Sequence, residues 1–185
     1  MGSREGINKY KAMTISDYIW QYLYDYGVRH VFTLAGGGSM YLVDALARSK
    51  ITPIYCLHEQ SCAIAADGYA QYTGKLGVCL VTTGPGSTNA ITGVVASWID
   101  STPVLIISGQ VMRKHFKRKL RQSGPQSVDI TTIVQSVTKR AILLWDTTWA
   151  EETLEEIIKD ATTDRKGPVW LDIPLDIQNE SVDSG

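Results

Sequence analysis

The stretch GVCLVTTGPGSTNAITGVVASWIDSTPVLIIS, residues 77–108, decides the fold class of this chain. It opens with an apolar run at 77–82, turns at Gly84-Pro85-Gly86, continues as a helical segment at 87–99 and closes with a second apolar run at 103–108. Both apolar runs lack the polar alternation of a half-exposed strand. The pattern therefore predicts buried strands joined through a helix.

The same alternation extends along the chain in both directions. The apolar spacing predicts helices near residues 14–26, 39–47, 58–72, 87–99, 129–137 and 149–162. Strands are predicted near residues 30–35, 53–57, 77–82, 103–108, 141–144 and 168–173. Alternating elements of this kind indicate an α/β fold with a parallel sheet and helices on both faces. Functional loops are then expected at the C-terminal edge of the sheet.

The domain division follows from where this periodicity begins and ends. Residues 1–13 are predicted to form a tail, and residues 14–174 a single domain. Residues 175–185, LDIQNESVDSG, are polar and lack periodicity. We expect them to be the start of a linker to a central domain that this chain lacks.

Composition limits the kinds of molecule that this chain is expected to bind. The chain has 185 residues with a net charge of −1, which favours neither nucleic acid nor an anionic membrane as a partner. No apolar run approaches the roughly 18–20 residues that span a bilayer. The basic run RKHFKRKLR at 113–121 is interpreted as a solvated loop, or as a patch for an acidic substrate or partner domain.

The cysteines and histidines show no metal-ligand spacing. Cys56, Cys62 and Cys79 contain no CxxC pair and are interpreted as buried small apolar residues, so no metal site is expected. Unpaired thiols favour a reducing compartment, and we expect a cytoplasmic protein.

Three glycine loops and one carboxylate are the candidates for chemistry. The loops lie at 36–39, 84–89 and 108–110, each after a predicted strand, and Glu59 opens a predicted helix. Each feature alone is also ordinary turn chemistry or a favourable charge at a helix N-terminus. A dinucleotide fingerprint GxGxxG is incomplete, because Asn89 takes the place of its third glycine. Together, however, the loops and the carboxylate should converge on one edge of the sheet.

The segment HEQSCAIAADGYAQYTGKLGVCLVTTGPGSTNAITGVVASWIDSTPVLIISGQV at 58–111 closely resembles thiamine diphosphate enzymes of the acetolactate synthase group. The flanking segments TLAGGGS and GPVWLDIPLDIQ fit the same group, and the resemblance covers residues 14–178. It implies the pyrimidine-binding domain, which holds one end of thiamine diphosphate. It further implies that Glu59 hydrogen-bonds the ring nitrogen N1′ and so activates the cofactor for attack on a 2-keto acid.

The resemblance implies a role for several further residues of this chain. Gly36 and Gly37 match paired glycines that let the backbone approach the pyrimidine ring. Pro85 and Asn89 match cofactor-contacting residues of the G-P-G-x-x-N turn, and Gln110 matches a glutamine near the site.

Two further positions bear on substrate and flavin. Gln126 matches the glutamine of the family's F-Q-E element beside the reactive carbon, but this chain reads Pro125-Gln126-Ser127. The replaced Phe and Glu make the substrate pocket depart from the family pattern. Arg165 stands where flavin-containing members have an arginine that touches FAD, but its simpler role, which we favour, is a surface charge beside a turn.

The family's diphosphate-binding half is missing from this sequence, which has neither the G-D-G segment nor the paired asparagines of the magnesium site. We expect the other domain, in the same or a second subunit of a homodimer or larger homo-oligomer, to hold diphosphate and Mg²⁺. The isolated chain is expected to be inactive. The leading interpretation is an excised domain of a lyase or transferase acting on pyruvate or a related 2-keto acid. A natural split subunit and a non-catalytic assembly module remain open.

Overall fold

The computed structural model describes residues 13–182. The predicted tail at 1–13 lies outside the described residues except for Met13. The helices are α1 (Ile15–Tyr26), α2 (Met40–Arg48), α3 (Glu59–Thr73), α4 (Pro85–Asp100), α5 (Ile130–Val134), α6 (Ala150–Thr162) and α7 (Leu175–Gln178). The strands are β1 (His30–Thr33), β2 (Thr52–Tyr55), β3 (Gly77–Val81), β4 (Val104–Gln110), β5 (Arg140–Leu143) and β6 (Val169–Pro174).

Within residues 13–182 these strands form one six-stranded sheet in the order β2-β1-β3-β4-β6-β5. All neighbouring strands pair in parallel. The sequence prediction of an α/β fold with a parallel sheet is therefore confirmed. Because the strands run the same way, the loops that follow β1, β3 and β4 all emerge at the same edge of the sheet.

Two apolar layers cover the sheet, one on each face. Alternate residues of the central strands divide between them: Val78 and Leu80 of β3 face α1, α2, α6 and α7, while Cys79 faces α3, α4 and α5. This alternation follows from the pleat of a strand, which turns successive side chains to opposite faces. Helices on both faces explain why the strand sequences are apolar throughout.

The helix ends agree closely with the sequence signals. Thr14 caps α1 by accepting a hydrogen bond from the Asp17 backbone N–H at 3.2 Å, and Gly27 ends it in the left-handed region. Helix α4 begins at Pro85, two residues earlier than predicted, because proline is well suited to the first helical position. None of the described helices is long and apolar enough to cross a membrane.

The C-terminal boundary differs from the sequence expectation. Residues 175–178 form α7, and Gln178 is fully buried, donating hydrogen bonds to the carbonyls of Gly38 (2.8 Å) and Ile173 (2.9 Å). Ser181 forms an antiparallel bridge with Thr14. The packed domain thus extends to residue 182 instead of ending at 174. The polar composition was misleading because Gln178 Nε2 donates to two backbone carbonyls of the domain and Asp176 pairs with Arg113.

Candidate functional site

Thr82, directly after β3, joins the loops at the C-terminal edge of the sheet. Its hydroxyl accepts a hydrogen bond from the Gly38 backbone N–H at 3.0 Å. Its side chain also packs so closely on Gly36 and Gly86 that a Cβ built on either glycine would lie within 2.7 Å of it. One threonine therefore sets the spacing between the loop after β1 and the start of α4.

Glu59 is the first residue of α3, and its side chain is half-buried beside the first turns of α4. Its Oε2 accepts a hydrogen bond from Asn89 Nδ2 at 3.0 Å. Its Oε1 has no hydrogen-bond partner within residues 13–182. His58 caps the helix through Nδ1, which accepts from the Gln60 backbone N–H at 3.1 Å. The histidine therefore shapes the helix end, while the glutamate carries the free acceptor.

The glycines after β1 differ in what surrounds them. A Cβ on Gly36 would clash with Thr82, and a Cβ on Gly38 would lie 1.9 Å from the Thr83 hydroxyl. A Cβ on Gly37, in contrast, would meet nothing within 4 Å. Gly36 and Gly38 are thus required by internal packing. Gly37 presents bare backbone to open space, where a flat ligand can approach.

The turn between β3 and α4 supports the neighbouring loop. Gly84 has a φ of +65°, and a Cβ there would lie 2.3 Å from the Gln126 carbonyl oxygen. Gln126 itself adopts a left-handed φ of +60°, and its side chain is exposed. Because only glycine has both the backbone freedom and the missing side chain, Gly84 lets the loop that carries Gln126 lie over the start of α4.

A cavity of about 330 Å³ opens beside these loops. Its wall is formed by the loops after β1 and β3, the end of β4, the segment that follows β4 and the start of α7: Gly37, Gly38, Thr83, Gln110, Val111, Met112, His115, Pro125, Gln126 and Leu175. The predicted positions Gly37, Gln110 and Gln126 are thus brought together. Glu59, Asn89 and Pro85 do not line this cavity; they lie in the first turns of α3 and α4, which begin at the same edge of the sheet.

Gln110 is held rigidly within the wall. Its Nε2 donates to the Val128 carbonyl and to Asp172 Oδ2, both at 2.8 Å, and its Oε1 accepts from the Val111 backbone N–H at 2.9 Å. The side chain is 1% exposed. Its polar atoms therefore support the wall and the segment that returns from Gln126.

Asp172, on β6, is a buried carboxyl beneath this wall. It accepts hydrogen bonds from Ser108 Oγ at 2.6 Å and from Gln110 Nε2 at 2.8 Å. Complete burial raises its pKa to about 7, against the opposing effect of these two hydrogen bonds. Trp170 Nε1 donates to Ser108 Oγ at 2.7 Å, which completes the network.

Three contributors to this region, Thr82, Thr83 and Asp172, were not singled out from the sequence. Thr83 Oγ1 donates to the Gly109 carbonyl at 2.8 Å, tying β3 to the end of β4. An aspartate inside the apolar strand VWLDIP is a signal that could have been used, since an isolated buried carboxyl needs partners. The two threonines give no comparable signal, because threonine is common in strands.

Arg165 lies away from the site. It is exposed, precedes β6 and donates from Nε to Ser101 Oγ at 2.8 Å. Ser101 precedes β4, so both residues lie at the N-terminal edge of the sheet. A further cleft of about 390 Å³ opens at that edge between Tyr26, Lys75 and Lys166. It is separated from Glu59 by the length of the sheet.

The cysteines form a cluster of free thiols. Cys62 and Cys79 are fully buried, and Cys56 packs against the same apolar layer. Burial raises the pKa of Cys56 to about 11, and that of Cys79 is also raised by burial. Among the described residues no group of three or more His, Cys, Asp or Glu side chains is arranged to hold a metal ion.

A doubly wound parallel sheet with glycine loops, a half-buried carboxylate and a cavity at one edge is typical of α/β domains that bind cofactors. The family model described as thiamine pyrophosphate enzyme, N-terminal TPP binding domain, matches residues 13–133. The chain belongs to this family, and its resemblance to the acetolactate synthase group is confirmed.

Three similar proteins are described as acetolactate synthases. Acetolactate synthase of Arthrospira platensis is 39% identical over 162 residues, which is 85% of this chain and 27% of that protein. The large subunit of acetolactate synthase isozyme 2 from Escherichia coli (strain K12) is 40% identical over 157 residues, 85% of this chain and 28% of that protein. Chloroplastic acetolactate synthase of Arabidopsis thaliana is 39% identical over 155 residues, 83% of this chain and 22% of that protein. The chain spans about a quarter of the length of these relatives.

Proposed function

We propose that this chain binds the aminopyrimidine end of thiamine diphosphate and that Glu59 is the carboxylate that activates it. The observation that carries the proposal is the pairing of Asn89 Nδ2 with Glu59 Oε2 at 3.0 Å. This bond holds the carboxylate by one oxygen and leaves Oε1 as a free acceptor, which is the group that a protonated ring nitrogen requires.

The surroundings of Glu59 fit a flat heterocycle. Gly37 leaves its backbone accessible, since a Cβ there would meet nothing within 4 Å. Gly86 lies beside Glu59, where a Cβ would come within 3.3 Å of Oε1. The missing side chains at Gly86, beside Oε1, and at Gly37, on the loop after β1, therefore support a site for a flat ring at this edge of the sheet. Pro85 and Asn89 belong to the first turns of α4, which also begins at this edge.

The complete enzyme is proposed to act on pyruvate or a related 2-keto acid as a lyase or transferase. Thiamine diphosphate, when bound, supplies a carbon nucleophile for this class of substrate. Gln126 on its exposed loop and Gln110 in the wall border the cavity, which is large enough for a small keto acid. The relatives are named acetolactate synthases, which supports a carboligation reaction of that kind for the complete enzyme.

Diphosphate and Mg²⁺ are proposed to be held by another domain. No cluster of possible metal ligands occurs in the described part of this chain. Bare apolar side chains on and beside α3 and α4 support a docking surface for that domain. Leu57 is 99% exposed, and Tyr72, Ile64 and Ile99 are also exposed. The partner domain would come from the same chain, from a second copy in a homo-oligomer or from a separate subunit.

Flavin use and cellular location are the remaining proposals. Arg165 at the opposite edge of the sheet acts as a surface charge, so we propose no contact between this domain and the flavin through that residue. The three free thiols support a reducing compartment, and we propose the cytoplasm.

The test of the proposal is Glu59→Gln in the complete protein, because glutamine keeps the size of the side chain and removes the charge. Exchange of the cofactor's C2 hydrogen with deuterium should slow by at least about 100-fold while thermal stability stays the same. An unchanged exchange rate would refute the role of Glu59. For the isolated chain we expect cofactor affinity on the order of 1 mM or weaker, since the charged end supplies much of the binding energy. Sub-micromolar binding in a titration calorimeter would contradict that expectation.

A further inference from the structure

The segment between β4 and α5 concentrates positive charge. Residues 112–128, MRKHFKRKLRQSGPQSV, contain six of the chain's 18 Lys and Arg residues and no Asp or Glu. The rest of the chain then has 12 Lys and Arg against 19 Asp and Glu. The net charge of −1 is therefore the sum of a strongly basic loop and an otherwise acidic domain. Electrostatic attraction favours the binding of an anion at this loop over the rest of the surface. We call residues 112–128 the basic loop.

Two of the six cations are already neutralised by carboxylates of the domain. Arg113 Nε pairs with Asp176 Oδ2 at 2.8 Å, and its other amino group contacts Glu180. Arg118 Nε pairs with Asp129 Oδ2 at 3.0 Å. The remaining four, all exposed, have no ion pair or side-chain hydrogen bond within residues 13–182: Lys114, Lys117, Lys119 and Arg121.

The basic loop begins and ends on the wall of the 330 Å³ cavity. Met112 and His115 of its first arm line the cavity, and so do Pro125 and Gln126 of its returning arm. The two arms touch each other, since a Cβ on Gly124 would lie 3.1 Å from His115 Cβ. Lys114 lies within the first arm, and Lys117, Lys119 and Arg121 lie on the stretch between the arms, so the four unpaired cations belong to a loop that is anchored on the cavity wall at both ends.

The cavity itself contains little to neutralise an anion. Of its lining residues only His115 is ionisable, and the others are glycines, apolar residues, Thr83 and two glutamines. Gln110 has no free polar atom, because all its groups are bonded within the wall. A substrate with one carboxylate needs one countercharge, whereas the basic loop carries four unpaired cations. The excess is suited to a ligand with more than one negative charge.

We propose that the basic loop selects a substrate carrying at least one anionic group besides the carboxylate of its 2-keto acid function, and places that group at the rim. This inference rests on the proposed function, since it concerns the substrate of the same site. The extra group is a second carboxylate or a phosphonate or phosphate, all of which are recognised by Lys and Arg side chains. Attraction by exposed cations raises the rate of productive encounter and weakens as salt screens it.

The experiment compares matched substrates on the complete, cofactor-loaded protein. 2-Oxoglutarate and 2-oxopentanoate have the same carbon count but differ by one carboxylate. 3-Phosphonopyruvate and 2-oxobutanoate form the second pair, which tests whether the extra anionic group is a phosphonate. The loop variant replaces Lys114, Lys117, Lys119 and Arg121 by Gln. The control variant replaces four exposed lysines at the opposite edge of the sheet by Gln and so loses the same charge: Lys50, Lys75, Lys159 and Lys166.

The wild-type protein should prefer one multiply charged substrate, judged by kcat/KM, over its singly charged counterpart. The loop variant should lose at least about 10-fold of that preference at low ionic strength, and the control variant should keep it. Addition of about 0.5 M salt should reduce the wild-type preference in the same direction.

The other outcomes separate this inference from the proposed function. If both matched substrates are consumed and the loop variant keeps the wild-type ratio, this inference is overturned and the proposed function stands. If no 2-keto acid is consumed by the loaded wild-type protein, the proposed function fails and the inference fails with it. If the substrate ratio is unchanged but the loop variant alone loses retention on heparin, the loop serves a macromolecular polyanion, which also overturns the inference.

Discussion

Asn89 on α4 donates a hydrogen bond of 3.0 Å to Glu59 on α3, joining two residues that are thirty positions apart. The bond spans the two helices that begin at the C-terminal edge of the sheet. It holds the carboxylate in one orientation before any ligand is present. Such preorganisation matters because a misplacement of about 1 Å in a reacting group costs on the order of 100-fold in rate.

Removal of the Asn89 amide should therefore act through Glu59. In the complete protein, Asn89→Ala is expected to lower kcat/KM by about 10-fold or more, because the carboxylate loses the bond that orients it. In a Glu59→Gln background the same substitution should cost little further activity. Steady-state kinetics of the four proteins forms a double-mutant cycle. Losses that multiply independently would show that Asn89 acts separately from Glu59.

The two neighbouring glycines of the loop after β1 should give opposite results when changed to alanine. Gly36→Ala is expected to destabilise the domain by about 1–3 kcal/mol, because its Cβ would lie 2.5 Å from Thr82. Gly37→Ala should leave the unfolding temperature nearly unchanged, since its Cβ meets nothing within 4 Å, but should weaken thiamine diphosphate binding.

Thermal unfolding of the two variants and cofactor titration of the complete protein check this pair. Each variant is the other's control, as both add one methyl group to the same loop. Unimpaired cofactor binding by Gly37→Ala would show that the ring does not approach this backbone.

Asp172 should make the stability of the domain depend on pH. Burial raises its pKa from 3.8 to about 7 in the folded state, so the native protein holds a proton that the unfolded chain releases in this range. The contribution of Asp172 to stability is thus fully present below pH 4 and is lost as pH rises to about 7. The loss is at most roughly 4 kcal/mol, since each pKa unit corresponds to about 1.4 kcal/mol.

Urea unfolding of the wild-type chain and Asp172→Asn between pH 4.5 and 7.5 measures this effect. Asparagine has no proton to release, so the difference in unfolding free energy between the two proteins should change across the window in favour of the variant at higher pH. A constant difference would mean that Asp172 does not titrate in this range.

The apolar surface beside α3 should be required for assembly and not for folding. Leu57 is 99% exposed, so Leu57→Glu is expected to change the unfolding free energy of the isolated chain by less than about 0.5 kcal/mol. In the complete protein it should shift the oligomer toward smaller species, because a charge would be buried at the contact.

Sedimentation velocity of the complete protein gives the readout. Trp149→Glu is the matched control, since Trp149 is an exposed apolar residue at the start of α6 on the other face of the sheet. Equal assembly of the Leu57→Glu protein and wild type would place the interface elsewhere.

Most of the fold could be predicted from the sequence alone. The continuous apolar run at 77–82 and the turn at Gly84-Pro85-Gly86 predicted a buried strand and the start of a helix, and the structure has β3 and α4 there. Such predictions succeed because strand and helix periodicity, caps and turns depend on residues close together in sequence. Residues after 174 were expected to begin a linker, and nothing in the sequence indicated that Gln178, although polar, is buried through hydrogen bonds to Gly38 and Ile173.

Only part of the candidate site could be predicted from the sequence. Glu59 and Asn89 could be chosen by resemblance, but the bond between them could not be derived from spacing. Nor could the sequence show that the polar atoms of Gln110, a predicted cofactor-contacting residue, are hydrogen-bonded within the cavity wall. Asp172 was overlooked, although a carboxylate within an apolar strand is itself a sign of a buried network.

By itself, then, the sequence determined the alternation of strands and helices, the positions of their caps and the family to which the chain belongs. Only the tertiary structure decided which side chains meet: Thr82 against Gly36, Asn89 against Glu59 and Asp172 beneath Gln110. The physical reason is that local patterns specify each element, whereas contacts between elements depend on the order of strands in the sheet and the register of their pairing. The attachment of the basic loop to the wall of the cavity is likewise decided by the tertiary structure, which brings Met112, His115, Pro125 and Gln126 together there.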